Sequence, residues 1–428
     1  MIIKRISIGP GEIGGYFSNL KAGFDEINIP SEHFVLMPNK FGYQESNYFL
    51  KNAYLLVAKL RNVKVAPIIY FGFFLEAIIR LFVFIYTLIR CDVFIIPGFG
   101  SFFKFYELPL IKFLQKKIIV VYVGSDARPA YFSGKNLDDF RQPQDRDLLK
   151  KEVLRQIAFI SKVEKYADLI VNHTATAQFF ERDFIRLQAL GTPVRHDPKM
   201  VKSKSEHLGI TRILHAPSRP HAKGSEIFKK IISELCDEGY KINLIELKDV
   251  PNSIVLNEIA NCDFVLDELY SDAPLAMLGT EAAAFSKPVI VGGYYADQYR
   301  IDNPSSQSPP ALYVKPSEIK DAIRKLIDDE QYRLDLGKRA YDFVTNDWNV
   351  SAVAKNYLRL IQNEPIPDNW KCNPASLSYI WGWGLSKDNW RAQMNAYISH
   401  CGAESLKLDH NPQLKQKILD EVKTSKYD

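Results

Sequence analysis

The residues whose chemistry is most legible lie between positions 213 and 292. A strand-like run ending in Leu214-His215-Ala216-Pro217 leads into Ser218-Arg219-Pro220-His221-Ala222-Lys223-Gly224-Ser225, and then into the helical pattern Glu226–Ile232. A cationic loop between the carboxyl end of a strand and the N-terminus of a helix suits a phosphate, because loop charges and free helix amides converge there. Lys241–Leu247 reads as a further strand. Gly279-Thr280-Glu281-Ala282-Ala283-Ala284-Phe285-Ser286-Lys287-Pro288-Val289-Ile290-Val291-Gly292 reads as a short helix followed directly by a buried strand. Glu281 is a lone carboxylate on that helix, and a carboxylate that accepts two hydroxyl hydrogen bonds suits a ribose diol. The combination points to a nucleotide carried by the second half of the chain.

His215-Ala216-Pro217-Ser218…Lys223-Gly224, the stretch Cys262–Asp267 and Glu281-Ala282-x-Ala284-x-x-Lys287-Pro288-Val289-Ile290 resemble the C-terminal domain of GT-B glycosyltransferases. The likeness is to the retaining, nucleotide-sugar-dependent bacterial group, of the family 4 or group 1 type, and covers roughly residues 1–362. It implies an α/β fold of two Rossmann-like domains facing each other across a cleft, with a C-terminal crossover helix and an extension. The expected boundaries are 1–200 for the acceptor-side domain, 206–346 for the donor-binding domain and 347–428 for the crossover helix and aromatic extension. The implied activity is transfer of a sugar from a nucleotide-diphosphate sugar to a hydroxyl of a glycan or lipid-linked acceptor, in bacterial surface polysaccharide assembly. Ser218, Arg219, Lys223, Met277, Leu278 and Glu281 then hold the donor, with Glu246, Lys248 and Val250 beside the base. Arg219, Lys223 and the amides of the helix after Leu275 neutralise the leaving diphosphate, so no metal and no cofactor are expected. The chain departs from the family pattern twice. Ala273 stands where a second glutamate is common, and Val123 where many members carry a histidine. A nucleotide-sugar-binding protein without transfer, or a GT-B-fold epimerase, is the alternative.

On the N-terminal side, Gly9-Pro10-Gly11-Glu12-Ile13-Gly14 fits a GxGxxG pattern. A dinucleotide site also wants an acid at the end of the second strand. The expected second strand, Phe34–Met37, ends in Pro38-Asn39-Lys40 without one. By the resemblance, Gly14 and Gly15 approach the donor instead; a tight turn that needs small residues is the competing assignment. Val123-Gly124-Ser125-Asp126-Ala127-Arg128 follows a regular strand, where ligands gather in open α/β sheets. Asp126 is the candidate for acceptor activation and Arg128 for an anion, with a structural pair of the two as the other reading. Asn172 and His173, after Asp168–Val171, are further cleft candidates, His173 also suiting a helix entry.

The elements that must position these groups are apolar throughout: Ile2–Ile8, Val93–Ile96, Ile118–Val123 and Leu169–Val171, then Arg212–His215, Ile242–Leu247, Phe264–Leu266, Val289–Val291 and Leu312–Val314. Apolar strands alternating with helices argue for parallel sheets covered on both faces. The polar run His196–Ser205 is the linker candidate, and Val353–Ile361 the crossover helix. At 428 residues, 46% hydrophobic and 25% charged, the chain has the make-up of a two-domain globular protein. A net charge of +5 without basic runs gives no reason to expect nucleic acid. Five scattered cysteines suggest reduced thiols in the cytoplasm. Ile68–Ile89 is about long enough to span a bilayer, but Glu76, Arg80, Thr87 and Arg90 share a narrow stripe. A largely buried helix is the first expectation, and docking on the inner face of the membrane the second. Trp370, Trp381, Trp383 and Trp390 in the extension read as anchors, with stacking on an acceptor sugar as the alternative.

Overall fold

The computed structural model describes residues 5–36, 48–63, 65–135, 145–195, 209–303, 307 and 309–424. The linker candidate His196–Ser205 lies outside them. Among the described residues twelve strands form two sheets: β1 (Ile6–Ile8), β2 (Ser31–His33), β3 (Val93–Pro97), β4 (Lys117–Val121), β5 (Leu169–Asn172), β6 (Phe184–Arg186), β7 (Thr211–His215), β8 (Ile242–Glu246), β9 (Phe264–Leu266), β10 (Val289–Gly292), β11 (Leu312–Val314) and β12 (Lys371–Cys372). The first sheet runs β12-β6-β5-β4-β3-β1-β2 and the second β11-β10-β9-β7-β8. All pairings are parallel except that of β12 with β6. Each sheet is a doubly wound, Rossmann-like unit whose order reverses once, between β1 and β3 and between β7 and β9.

The period-two alternation of strand side chains explains why these strands are apolar without a break. Ile6, Ile8, Val93, Ile95, Ile119, Val121 and Val171 point to one face, against Phe17, Leu20 and Phe24. Phe94, Ile96, Ile118, Val120 and Ile170 point to the other, against Val153, Ile160 and Val163 of the helix Arg146–Tyr166. The second sheet divides in the same way, with Ile213, Phe264, Leu266 and Ile290 on one side and Leu214, Val265, Val289 and Val291 on the other.

One strand differs from its sequence expectation. The second strand is Ser31–His33, not Phe34–Met37, because its backbone pairs Ile6 with Ser31 and Ile8 with His33. An edge strand tolerates these half-exposed polar residues. The apolar run that follows is used for packing, with Phe34 edge-on to Tyr86. The helix Ala66–Arg90 also differs. It is not a largely buried helix, since only 22% of its most apolar stretch is buried inside the protein.

The helix Val350–Gln362, capped by Asn349 Oδ1 accepting from Ala352 N at 2.9 Å, returns to the first sheet. There Tyr357 shares a 2.9 Å hydrogen bond with Tyr16, and Lys117 Nζ donates to the carbonyls of Leu360 and Ile361 at 2.6 and 2.9 Å. The extension beyond it completes the first domain's core with Trp390, Met394, Tyr397, Leu414 and Ile418. Gly23 sets the helix crossing: a Cβ there would lie 1.9 Å from the Val350 carbonyl oxygen and 3.0 Å from Ala354 Cβ. Gly23→Ala should therefore lower stability by roughly 1–3 kcal/mol despite alanine's better helix propensity. Urea denaturation checks this, and an unchanged midpoint would show that the two helices are not in contact.

Candidate active site

Ligand sites of doubly wound sheets lie at the carboxyl edge, where the strand order reverses. In the second sheet that edge is formed by the loops after β7 and β9. His215 bolts them together. Its Nδ1 donates to the Leu266 carbonyl at 2.8 Å, which leaves Nε2 to accept from the Ser225 hydroxyl at 2.8 Å. Burial pushes the imidazole down to about 4, so it is neutral and structural at pH 7. Beyond it, Ser218 is exposed, and Arg219 is half-buried with no side-chain partner among the described residues.

Lys223 departs from its expected role as a free phosphate-binding cation. Its ammonium is buried between Asp267 at 3.1 Å and Glu268 at 3.0 Å. Burial works to lower its pKa, but the two carboxylates outweigh that and hold it well above its usual value. Burial drives Asp267 upward, while Lys223 and a hydrogen bond from Trp383 hold Glu268 down in spite of burial. The cluster therefore carries no spare positive charge, and Arg219 is the open cation of the loop.

Glu281 lies on the helix Met277–Ala284, only 8% exposed, and accepts from Asn252 Nδ2 at 3.0 Å. Burial pushes its carboxyl up to about 8; Asn252 opposes this and the nearby Asp267 reinforces it. Met277 and Leu278 form the first turn of that helix, whose N-terminus has no side-chain cap. The loop after β8 reaches Glu281 through Asn252. Within it Lys248 is exposed, Val250 half-buried, and Glu246 paired with Lys229 at 2.9 Å. Glu246 is thus engaged by a neighbouring helix.

The first sheet brings its own carboxyl edge opposite. Gly14 and Gly15 have φ of +58° and +83°, and a Cβ on Gly14 would meet Met277 Cγ at 2.6 Å. The glycine loop thus touches the helix Met277–Ala284 of the second domain across the cleft. Glu12 accepts from the amides of Ile13, Phe17 and Ser18 at 2.7, 3.3 and 2.7 Å, occupying the N-terminus of the helix Tyr16–Glu26 with a resident anion. Asp126 is likewise turned onto its own loop, accepting from Val123 N at 3.1 Å and Gly124 N at 2.9 Å. Burial raises it to about 6. Arg128 is not free for an anion: it is 4% exposed and forms an ion pair with Asp272 of the second domain. Asn172 Oδ1 accepts from His173 N at 2.8 Å and Thr176 Oγ1 at 3.0 Å. His173 precedes a short 3-10 turn, hydrogen-bonds Gln188, and is pushed down to about 4 by burial and by Arg128. The adjacent Thr174 reaches Tyr295 of the second domain at 2.9 Å.

Two domains whose strand carboxyl edges meet, with a helix crossing back to the first, define one architecture. It is GT-B. No family model matches the chain, and no curated protein does. Among solved structures it is similar to HepE of Anabaena in complex with UDP and glucose, at 12% identity and TM-score 0.46, covering 84% of this chain and 99% of that one. It is also similar to the trehalose-6-phosphate synthase OtsA, at 12% and 0.48, covering 85% and 99%. An alpha-glucosyltransferase in complex with UDP and a 13-mer DNA stands at 11% and 0.47, covering 84% and 99%. At these values the likenesses carry no functional step; the GT-B reading rests on the strand order and the facing edges.

Sequence reasoning missed the groups that close this GT-B cleft. Ile380–Leu385 of the extension threads between the domains. Trp383 N donates to the Phe132 carbonyl at 3.1 Å, Gly384 N to that of Tyr270 at 2.9 Å, and Trp383 Nε1 to Glu268 at 2.6 Å. Arg128 lies 5.7 Å from the Trp383 ring. The acid pair Asp267-Glu268 at the end of an apolar strand was a visible signal, but their partners are 44 and 115 residues away.

Glu281 permits a test that separates ligand binding from structure. Between pH 4.5 and about 8 the unfolded chain releases the Glu281 proton while the folded protein keeps it, so stability falls as pH rises through that window. Glu281→Gln removes the penalty. The variant should melt no lower than the parent, with an advantage that grows toward pH 8, while losing roughly ten-fold or more in nucleotide affinity, about 1.5–3 kcal/mol. Thermal melts across pH with calorimetry check both; a destabilised variant with unchanged affinity would make Glu281 structural.

Proposed function

We propose that the chain is a metal-independent glycosyltransferase, moving a sugar from a nucleoside-diphosphate sugar to a hydroxyl of a glycan or lipid-linked acceptor in surface polysaccharide assembly at the cytoplasmic side of a membrane. The observation that carries the reading is the pairing, on one carboxyl edge, of a buried carboxyl group held by Asn252 with the guanidinium of Arg219, which has no side-chain partner among the described residues. The first suits a ribose diol and the second a diphosphate. In the reaction the acceptor oxygen bonds to the anomeric carbon as the bond to the diphosphate breaks, and the hydroxyl proton passes to the departing diphosphate. The charge left on the phosphate is met by Arg219 and by the amides of the helix that starts at Met277. The apposed domains exclude water from that step.

Binding without transfer is a second reading, favoured by Asp126 and Arg128, since the loop amides and Asp272 hold the two side chains expected to serve the acceptor. Asp126→Asn separates the two. If transfer occurs, turnover should fall far more than nucleotide affinity, the pattern of a group that matters in the transition state.

Calorimetry against UDP, GDP, ADP, CDP, TDP and NAD tests the donor class. One or more of the diphosphates should bind, and NAD should not, because Glu12 already occupies the glycine-loop helix. Arg219→Ala should weaken the diphosphate and leave the corresponding nucleoside unaffected. Binding and turnover should persist in EDTA. NAD binding with no response to any diphosphate would sink the proposal, and a strict need for magnesium or manganese would sink its metal-independent form.

A further inference from the structure

The helix Ala66–Arg90 turns an ion-paired carboxylate toward the protein, beside Val83 and Phe84, and keeps a broad aromatic and aliphatic surface on the solvent side. Its inward stripe carries Gly72, Glu76, Val83, Phe84 and Thr87. Glu76 accepts from Arg61 at 2.7 Å and Arg80 at 2.6 Å, and Arg80 also donates to the Phe102 carbonyl at 3.0 Å. Outward stand Tyr70 at 73% exposure, Phe74 at 62%, Phe82 at 69% and Ile89 at 77%, with Phe71 and Phe73 beside them. A surface helix in water shows the reverse polarity. Ion pairing inside and aromatics outside is the arrangement that a hydrocarbon surroundings would select. The preceding helix, Tyr48–Arg61, packs against Gly72 through Leu60 and Arg61 and adds exposed Leu55 and Leu56.

Charge identifies what covers this face. Residues 48–90, the hairpin itself, hold six Lys and Arg against one Glu, an excess of five, as large as that of the whole chain. The rest of the chain therefore sums to zero, and the net positive charge resides on the hairpin that bears the apolar face. A protein partner or a second copy would need only the apolar face; an anionic bilayer matches both features.

We propose that the helical hairpin formed by Tyr48–Arg61 and Ala66–Arg90 docks the protein on an anionic lipid bilayer, with Tyr70, Phe71, Phe73 and Phe74 entering the boundary between headgroups and acyl chains. The longer helix lies in the interface and does not cross it. Its C-terminal half is fixed to the first domain by Val83 and Phe84, the latter packed on Phe102 at 5.4 Å, and it leads directly into β3. The docking does not depend on the transfer reading, because it is measured without substrate.

Flotation of the full chain with vesicles tests it. The protein should float with vesicles containing phosphatidylglycerol, more weakly at high salt, and stay behind with phosphatidylcholine alone. The double variant Phe71→Ser, Phe74→Ser should lose roughly ten-fold or more of the bound fraction with an unchanged melting temperature, since both rings are already exposed. The proposal is overturned if neither vesicle binds, if the variant binds as well as the parent, or if the face instead mediates a dimer that the variant dissociates. Bound protein that resists alkaline carbonate would place the helix across the bilayer and overturn the in-plane geometry.

Discussion

The cleft depends on one buried ion pair. Arg128 and Asp272 belong to different domains, and their side chains are 4% and 11% exposed. Removing either from water costs several kcal/mol, which is recovered only while the partner is in place. This arrangement of the domains is therefore specified as well as favoured, because a shift that parts the pair leaves two desolvated charges. Trp383 extends the constraint. Its indole N–H satisfies Glu268, which with Asp267 holds Lys223, so the extension, the first domain and the carboxyl edge of the second sheet share one hydrogen-bonded system. Polar networks of this kind rigidify when every member is paired.

That system determines which charges the second sheet's carboxyl edge leaves open. With two carboxylates enclosing Lys223, the cation that sequence would assign to phosphate is consumed in holding the loops after β7 and β9 together. The charge available to a ligand is narrowed to Arg219 and helix amides. Glu281 shows the matching conflict. Its burial makes the ionised form costly in the free protein, and Asn252 offsets only part of that cost. The same logic separates the two glycine-rich turns. The turn at Gly14 contacts Met277, whereas the helix it opens has its amides satisfied by Glu12.

Polarity is also inverted at a second place, on the outside of the first domain. The Glu76 carboxylate between Arg61 and Arg80 lets a helix rich in phenylalanine present its apolar surface outward without leaving a charge unpaired. Contiguous exposed apolar surfaces of this kind mark interaction sites. The first domain, which forms one side of the cleft, is thus also the one that carries the hairpin.

By itself, the sequence determined the parallel α/β class and most strands, because a strand covered on both faces must be apolar along its length, as Ile118–Val121 and Val289–Val291 are. It also singled out Glu281, Arg219 and the Asp126 loop, since residue type and position after a strand suffice to mark a carboxyl edge. Tertiary structure alone decided which of these groups remain open. Lys223, Arg128 and Glu246 are cations and an anion whose availability depends on partners 44, 144 and 17 residues away, and no local pattern encodes such distances. The edge strand Ser31–His33 went unseen because backbone pairing set its register and its side chains carry no apolar signal. The helix Ala66–Arg90 was misjudged for a related reason: composition reports how apolar a helix is, and only packing reports which way its few charges face.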